Sequence, residues 1–385
     1  MTAAAAIGRA PVVLFPNSSG MGGMEAHLVQ LARGLHARGI PVAAICAARA
    51  DLAPLREGLV AAGVTVHAIG DRDRTPASVV RRTRSLVQAL RRYPACVVHM
   101  HYGGYGGGEL IQLAAAVAGA RAVVRTEHAP PIPPITMRGK LLVRLRDRFL
   151  ARVVCVSDQN RDEHLAVLGR DDGRVTVVHN GVDVERFSPA VSGAGVAAEL
   201  GFPPEAPIVG TVARLVERRK AIGDFIDMAA RLRALDERVR FVVVGDGDLR
   251  HDLEEHARRL GLGDALVFTG DRPDIPRLLA ALSVFVMPSL WEGCQYSLLE
   301  AMATGIPVVS TPAGVAPAVV RHRETGLLVP FGDPAALASA THDLLTDREL
   351  ARRLAAAARS AIVARFSTDA MVDALVGVYR QALAG

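Results

Sequence analysis

The strongest constraint on how this chain can fold is the alternation of short, β-branched apolar runs with stretches of helical length. Val12 to Phe15, Pro41 to Cys46, Val64 to Ile69, Cys96 to Met100, Ala122 to Arg125, Val153 to Val156 and Val175 to Val178 read as buried strands. Between them apolar residues recur at helical spacing, as in Leu28, Leu31 and Leu35 before Gly39, or over Ala77 to Arg92, Glu109 to Ala118 and Met137 to Leu150. Strands without a polar face, joined by helices, imply a parallel sheet covered on both sides. Asn180 to Pro189 and the small-residue patch Ser192 to Ala198 read as a domain end and linker. A second series of strands follows: Ile208 to Val212, Phe241 to Val244, Leu266 to Phe268, Val284 to Met287, Val308 to Ser310 and Leu327 to Val329. At 385 residues the chain exceeds the usual size of one core, so two α/β domains are expected, over 1–188 and 189–366, with a last helix over 367–385.

Composition narrows the class of protein. Four cysteines, at 46, 96, 155 and 294, never form C-x-x-C, so neither a zinc site nor a disulfide framework is expected and a reducing compartment fits. The stretch MTAAAAIGRAPVVLF has no basic residue before its alanines and nothing near the ~20 apolar residues that span a bilayer, which reads as cytoplasmic. A net charge of +6 calls for an anionic partner such as a nucleotide or phospholipid. Nucleic acid is set aside, because no zinc-finger spacing, RNP-like aromatic run or basic tail is present.

Chemistry concentrates in Ser283 to Gly314. The strand Val284 to Met287 is closed by Pro288, a loop follows, and Ser297-Leu298-Leu299-Glu300 has the spacing of a capping box opening an apolar helix that Gly305 ends. Backbone N–H groups and the helix dipole there make Glu292 to Ser297 a seat for a phosphate. Two carboxylates, Glu292 and Glu300, bracket it. Taken alone, Glu300 would cap its helix and Glu292 would be a solvated loop charge.

Other glycine clusters test differently. Gly20 and Gly22 lack the third glycine of a dinucleotide fingerprint, since position 25 is Glu, and Gly245-Asp246-Gly247 has Arg250 where that glycine should stand. Neither is a NAD site. Asp71-Arg72-Asp73 and Asp246-Gly247-Asp248 are D-x-D strings, one a loop flanked by arginines and the other a strand-end turn, and neither is expected to hold metal. His99 and His101 share one strand face without a trusted metal spacing.

The string E-x7-E, then A-M-A-T-G-I-P-V-V, T-P-A-G and T-G-L-L-V-P resembles the retaining, nucleotide-sugar-dependent glycosyltransferases of GT-B architecture, glycosyltransferase family 4-like, or glycosyl transferases group 1. The resemblance extends to Gly22-Gly23-Met24-Glu25, which matches the family's G-G-x-E turn, to His128 at a T-x-H-like strand end, and to Arg214 and Lys220 in ARLVERRK. It implies two Rossmann-like, doubly wound domains facing each other across a cleft, with the last helix crossing back to the first domain. The donor, a nucleoside diphosphate sugar with UDP favoured over GDP, is implied to lie mainly on the second domain.

On this resemblance Glu300 holds the ribose and Arg214 and Lys220 the diphosphate, with Arg219 a second fit to the lysine's register. The amides of Tyr296, Ser297 and Leu298 take the terminal oxygens. Glu292 meets the sugar with the backbone of Cys294 and Gln295, and the turn Gly270-Asp271-Arg272 lies near the base. Gly22 and Gly23 face the diphosphate, and His128 is the cleft histidine of the first domain. No cofactor or metal is implied beyond the donor as co-substrate. The acceptor is a small molecule, a lipid-linked group or a glycan.

The family pattern is broken at Cys294-Gln295, where it has Phe-Gly, at Ala213 and Ala221, where it has glycine, and at Ala318, where Glu follows the proline. Gly103 to Gly108 is expected to be a loop over the cleft. Met137 to Leu150 is expected to bury Leu141, Leu142, Leu145 and Phe149 in the core, with Lys140, Arg144, Arg146 and Arg148 solvated. Its sharper alternative is a face resting on anionic lipid at the inner side of the membrane. Two rival functions are an epimerase acting on the same donor, and a non-catalytic protein that binds the nucleotide sugar.

Overall fold

The structure is a computed structural model, described over residues 7, 10–17, 22–70, 75–103, 109–131 and 135–385, without the side chains of 76, 109 and 110. Gly20, Met21, Asp71 to Asp73 and Gly104 to Gly108 lie outside the described residues. The chain divides into two compact units, residues 1–181 with 368–385 and residues 182–367.

The first unit holds strands β1 (Val12–Asn17), β2 (Val42–Ala47), β3 (Thr65–Ile69), β4 (Val97–Tyr102), β5 (Ala122–Glu127), β6 (Arg152–Cys155) and β7 (Val175–Val177). They form one sheet in the order β3-β2-β1-β4-β5-β6-β7, with every pair parallel. The second unit holds β8 (Ile208–Val212), β9 (Arg240–Val244), β10 (Leu266–Phe268), β11 (Val284–Met287), β12 (Val308–Ser310) and β13 (Leu327–Leu328), ordered β10-β9-β8-β11-β12-β13 and again all parallel. Both units are Rossmann-like α/β folds. In each, the strand order reverses once, between β1 and β4 and between β8 and β11. Loops leaving the carboxyl ends on either side of such a reversal diverge and open a crevice, which is where open α/β sheets bind ligands.

Strand parity decides what each face carries. Along β4, Val97, His99 and His101 point to one face and Val98, Met100 and Tyr102 to the other. The helix Gly23–Ala37 covers the first face together with the last helix, Thr368–Ala384, whose Val372, Leu375, Val376 and Tyr379 are buried beside Leu28 and Leu31. Gly34 permits the close approach, since a Cβ there would stand 2.5 Å from Val372 Cγ2.

Two expectations need correction. Val182 to Ser188 was expected in the first domain, yet Val182 and Phe187 are buried in the second unit's core, and the Arg359 guanidinium donates to the carbonyls of Val184, Phe187 and Ala303. Those contacts place the boundary at Gly181. The patch read as linker includes a short helix, Val196–Glu199, with Val196 buried against Phe202. The second correction concerns Met137 to Leu150. The helix spans Met137–Asp147 and buries only Val143, leaving Leu141, Leu142, Leu145 and Phe149 exposed.

The turn after β9 shows why glycine stands at 245. Gly245 has φ +127°, and a Cβ there would fall 2.0 Å from the Ala213 carbonyl oxygen in the loop after β8. Asp246 closes the turn by accepting the Gly247 N–H at 2.8 Å and pairing with Arg250 at 2.9 Å, so its D-x-D string is a turn, as expected. Gly245→Ala must move backbone or strain it, and is expected to destabilise the protein by at least ~2 kcal/mol. A urea midpoint within error of wild type would show that the two loops are not in contact as described.

Candidate active site

In the second unit the loops after β8 and β11 meet at the strand reversal. Arg218–Lys220 form a single 3-10 turn ending at Ala221, whose φ of +50° is left-handed. The family has glycine there, and an alanine holds this conformation at a cost of about 1–2 kcal/mol. The Leu290 N–H donates to the Arg219 carbonyl at 2.8 Å, joining the loops. Between them lies Glu292, almost fully buried. It accepts from Arg219 Nη1 at 2.9 Å, Lys220 Nζ at 2.5 Å and Ser289 Oγ at 3.1 Å. Arg219 also donates to the Trp291 carbonyl and lies over the indole at 4.9 Å. Arg219 and Lys220 thus each pair with one of the Glu292 carboxylate oxygens. Arg214 is exposed at the mouth of the same loop, with no ion pair among the described residues.

The helix after this loop spans Tyr296–Thr304 and is ended by Gly305 at φ +82°. Its first residue corrects the capping box: the N-cap is Gln295, Ser297 lies inside the first turn, and no side chain caps the helix. The amides of Tyr296, Ser297 and Leu298 are those an α-helix leaves without intrahelical partners. Gln295 is buried and turned inward, donating to the Ala313 carbonyl at 2.8 Å and accepting from the Val315 N–H at 3.1 Å. Gly314 lets this loop approach, because a Cβ there would meet Gln295 Oε1 and Glu292 Cβ at 2.9 Å. The departure from Phe-Gly thus ties the loop after β11 to the loop after β12. Cys294, which is in no disulfide, precedes it.

Glu300 lies one turn into the helix, partly buried. Burial pushes its carboxyl up to about 7, with Arg186 opposing. A carboxylate held this way has no strong cation on it and gains from any ligand that donates to its ionised form. Asp271 is exposed beside Gly270, while Arg272 forks onto Asp274 with two 2.8 Å bonds.

In the first unit Gly22 is the extended N-cap of the helix Gly23–Ala37, which places Glu25 and His27 in its opening turns. His27, from that helix, meets His101 at the end of β4 and His128 just after β5. The ring centroids of His27 lie 5.3 Å from His101 and 4.7 Å from His128, and His101 Nδ1 is 3.1 Å from His128 Nε2. Burial lowers His27 to about 4, partly offset by Asn180, and drives His99, His101 and His128 well below the usual histidine range, reinforced by their histidine neighbours. The cluster is neutral at pH 7. Sequence spacing missed it because its members come from three separate elements; the alternation of His99 and His101 was the one available signal.

On the other face of β5, Glu127 is fully buried with Arg125 and Arg170, each at 2.7 Å. Burial raises its carboxyl, yet the two guanidinium groups hold it well below the usual range. Arg125 also lies 4.1 Å over Tyr102. This network fixes the end of β5, from which His128 projects.

Comparison with known proteins gives the class. Residues 21–186 match the family described as Glycosyltransferase Family 4, and residues 206–347 match Glycosyl transferases group 1. A D-inositol 3-phosphate glycosyltransferase of Streptomyces bingchenggensis is 30% identical, covering 96% of this chain and 87% of the relative. A UDP-Gal:alpha-D-GlcNAc-diphosphoundecaprenol alpha-1,3-galactosyltransferase of Escherichia coli is 28% identical over 77% of this chain and 78% of its own. Among solved structures, a glycosyltransferase from Rickettsia africae superposes with a TM-score of 0.85 at 19% identity over 97% of this chain and 98% of that one. Anabaena HepE, in complex with UDP and glucose, gives 0.81 at 21% identity over 95% and 98%. The protein is a GT-B glycosyltransferase, and it belongs to the family that joins these two domains.

The raised carboxyl of Glu300 has a signed consequence. A glutamate whose folded pKa stands at about 7 rather than 4.5 favours the fold at low pH and loses that contribution as the pH rises through about 7. Glu300→Gln is therefore expected to flatten the fall in stability between pH 4.5 and 7 in urea titrations. Parallel pH profiles for the two proteins would contradict the burial argument.

Proposed function

We propose that the protein is a retaining hexosyltransferase that moves a sugar from a nucleoside diphosphate, UDP in preference to GDP, to an acceptor hydroxyl without a metal ion. The observation that carries the reading is the Glu292 cluster beside an uncapped helix start at the β8/β11 reversal. Cations, free amides and a buried carboxylate together suit a diphosphate ester next to a sugar. Negative charge builds on the phosphate oxygen as the glycosidic bond breaks, and preorganised donors act where that charge develops.

In this reading Arg214 and Lys220 hold the diphosphate, Lys220 sharing its three donors between Glu292 and phosphate oxygens. The amides of Tyr296 to Leu298 take the terminal oxygens, and Glu300 the ribose hydroxyls. The anomeric carbon accepts the acceptor oxygen on the face the diphosphate leaves, and the departing phosphate oxygen takes the acceptor's proton. Glu292, pinned by two cations, orients the sugar and is no nucleophile. His128, neutral, is placed to hydrogen-bond a sugar hydroxyl. An epimerase or a non-catalytic binder is less well supported, since the relatives named above are transferases.

The acceptor side of the reading includes a membrane. Met137 is 79% exposed, Leu141 58% and Phe149 62%, and Arg138, Lys140, Arg144, Arg146 and Arg148 stand among them. Apolar side chains in solvent, ringed by cations, fit the surface of an anionic leaflet. The Escherichia coli relative is named for a diphosphoundecaprenol acceptor, a lipid. On this reading the protein works in the cytoplasm, at the inner face of the membrane.

Thermal unfolding with UDP, GDP, ADP and dTDP tests the donor. One nucleotide at ~100 times its Kd should stabilise by ~2.7 kcal/mol, equally with EDTA. No shift with any of them would defeat the reading. With that donor, Arg214→Ala and Glu292→Ala are each expected to cut turnover at least ~100-fold, and near-normal rates would remove these residues from the mechanism. Sedimentation with phosphatidylglycerol vesicles should capture the protein and phosphatidylcholine vesicles should not, with Leu141→Ser/Phe149→Ser releasing it. Equal capture by both lipids would overturn the membrane face.

A further inference from the structure

We propose that His27, His101 and His128 form a binding site for one zinc-class divalent ion in the first unit. The proposal shares His128 with the reading above and uses none of the second unit's residues. One nitrogen from each ring lies within 4.8 Å of the others. The 3.1 Å between His101 Nδ1 and His128 Nε2 is close to the ~3.3 Å that separates two nitrogens on a tetrahedral ion at 2.0–2.1 Å.

Hydrogen bonding within the protein does not account for the cluster. His101 and His128 can share one proton, but neither nitrogen of His27 makes a well-formed hydrogen bond, Asn180 being the polar group near them. His27 is 2% exposed and His101 0%. Buried polar atoms are ordinarily satisfied, and with His101 engaged through Nδ1 the lone pair that points to a ligand is the one on His27.

His99 marks the edge of the site. Both its nitrogens are already used, Nδ1 with Tyr379 Oη and Nε2 with Thr126 Oγ1, each at 2.7 Å. It packs against His101 at 4.0 Å between centroids and holds that ring in place. Three ligands on three elements fix three corners of a tetrahedron, and the fourth stays open to water or a small anion. All-imidazole ligation selects Zn2+ or Cu2+ over Mg2+ or Ca2+, which want oxygen. An ion held there occupies the lone pair of His128, so loading opposes whatever hydrogen bond His128 makes to a sugar.

Cobalt titration of the metal-free full-length protein, read by visible absorption, tests this. The expected result is one Co2+ per chain with intense tetrahedral d–d bands, no thiolate charge-transfer band, and displacement by one equivalent of Zn2+. His27→Gln and His101→Gln should each weaken binding by more than the ~100-fold that loss of an outer partner can cost, while His251→Gln, an exposed residue on the second unit, leaves it unchanged. Circular dichroism of each variant guards against misfolding. Absence of tetrahedral bands in wild type, a thiolate band, or binding equal in wild type and both folded variants would overturn the site.

Discussion

The second unit depends on a buried charge. Glu292 sits away from solvent, and such a carboxylate is tolerable only while Arg219 and Lys220 remain on it; removing one partner from a buried pair typically costs ~3–5 kcal/mol. Because Arg219 and Lys220 follow β8 while Glu292 follows β11, the ionic contact also sets the distance between the two loops that flank the strand reversal. The helix start beside them is left uncapped, and the inward-turned Gln295 braces it from the loop after β12. The residues proposed to meet the donor are thus also the ones that hold the two loops together.

The first unit uses charge differently. Glu127, Arg125 and Arg170, with Asp147 on Arg170, form a buried ionic network under β5, while the opposite face of the same strands carries neutral imidazoles. The two faces are separated by strand parity alone. A side chain shifted by one position along β4 or β5 would exchange an ionic anchor for a ligand group, so the register of the sheet decides which residues are structural and which are available for chemistry.

Much of this was legible from the chain. The strands were readable because parallel sheets bury both faces and need continuous apolar runs, and their boundaries fell within a few residues of those observed. Glu292 and Lys220 were singled out through family resemblance and not through spacing, and the structure shows that they pair with each other. The helix from Met137 was misread, since its periodicity suits a core face as well as an exposed one and periodicity carries no information on what lies opposite. The boundary at Gly181 was missed for a related reason: Val182 and Phe187 look like linker residues until Arg359, far along the chain, ties their backbone to the second unit.

The amino-acid sequence by itself determined the two Rossmann-like folds, the parallel strands and the positions of turns that only glycine tolerates, because these follow from local sterics and from which residues leave water. The tertiary structure decided which side chains meet. Lys220 reaches Glu292 across 72 residues of sequence, and His27, His101 and His128 converge from a helix, a strand and a strand end. Such convergence is set by strand order and register, which depend on the packing of the whole sheet and are written in no single stretch of the chain.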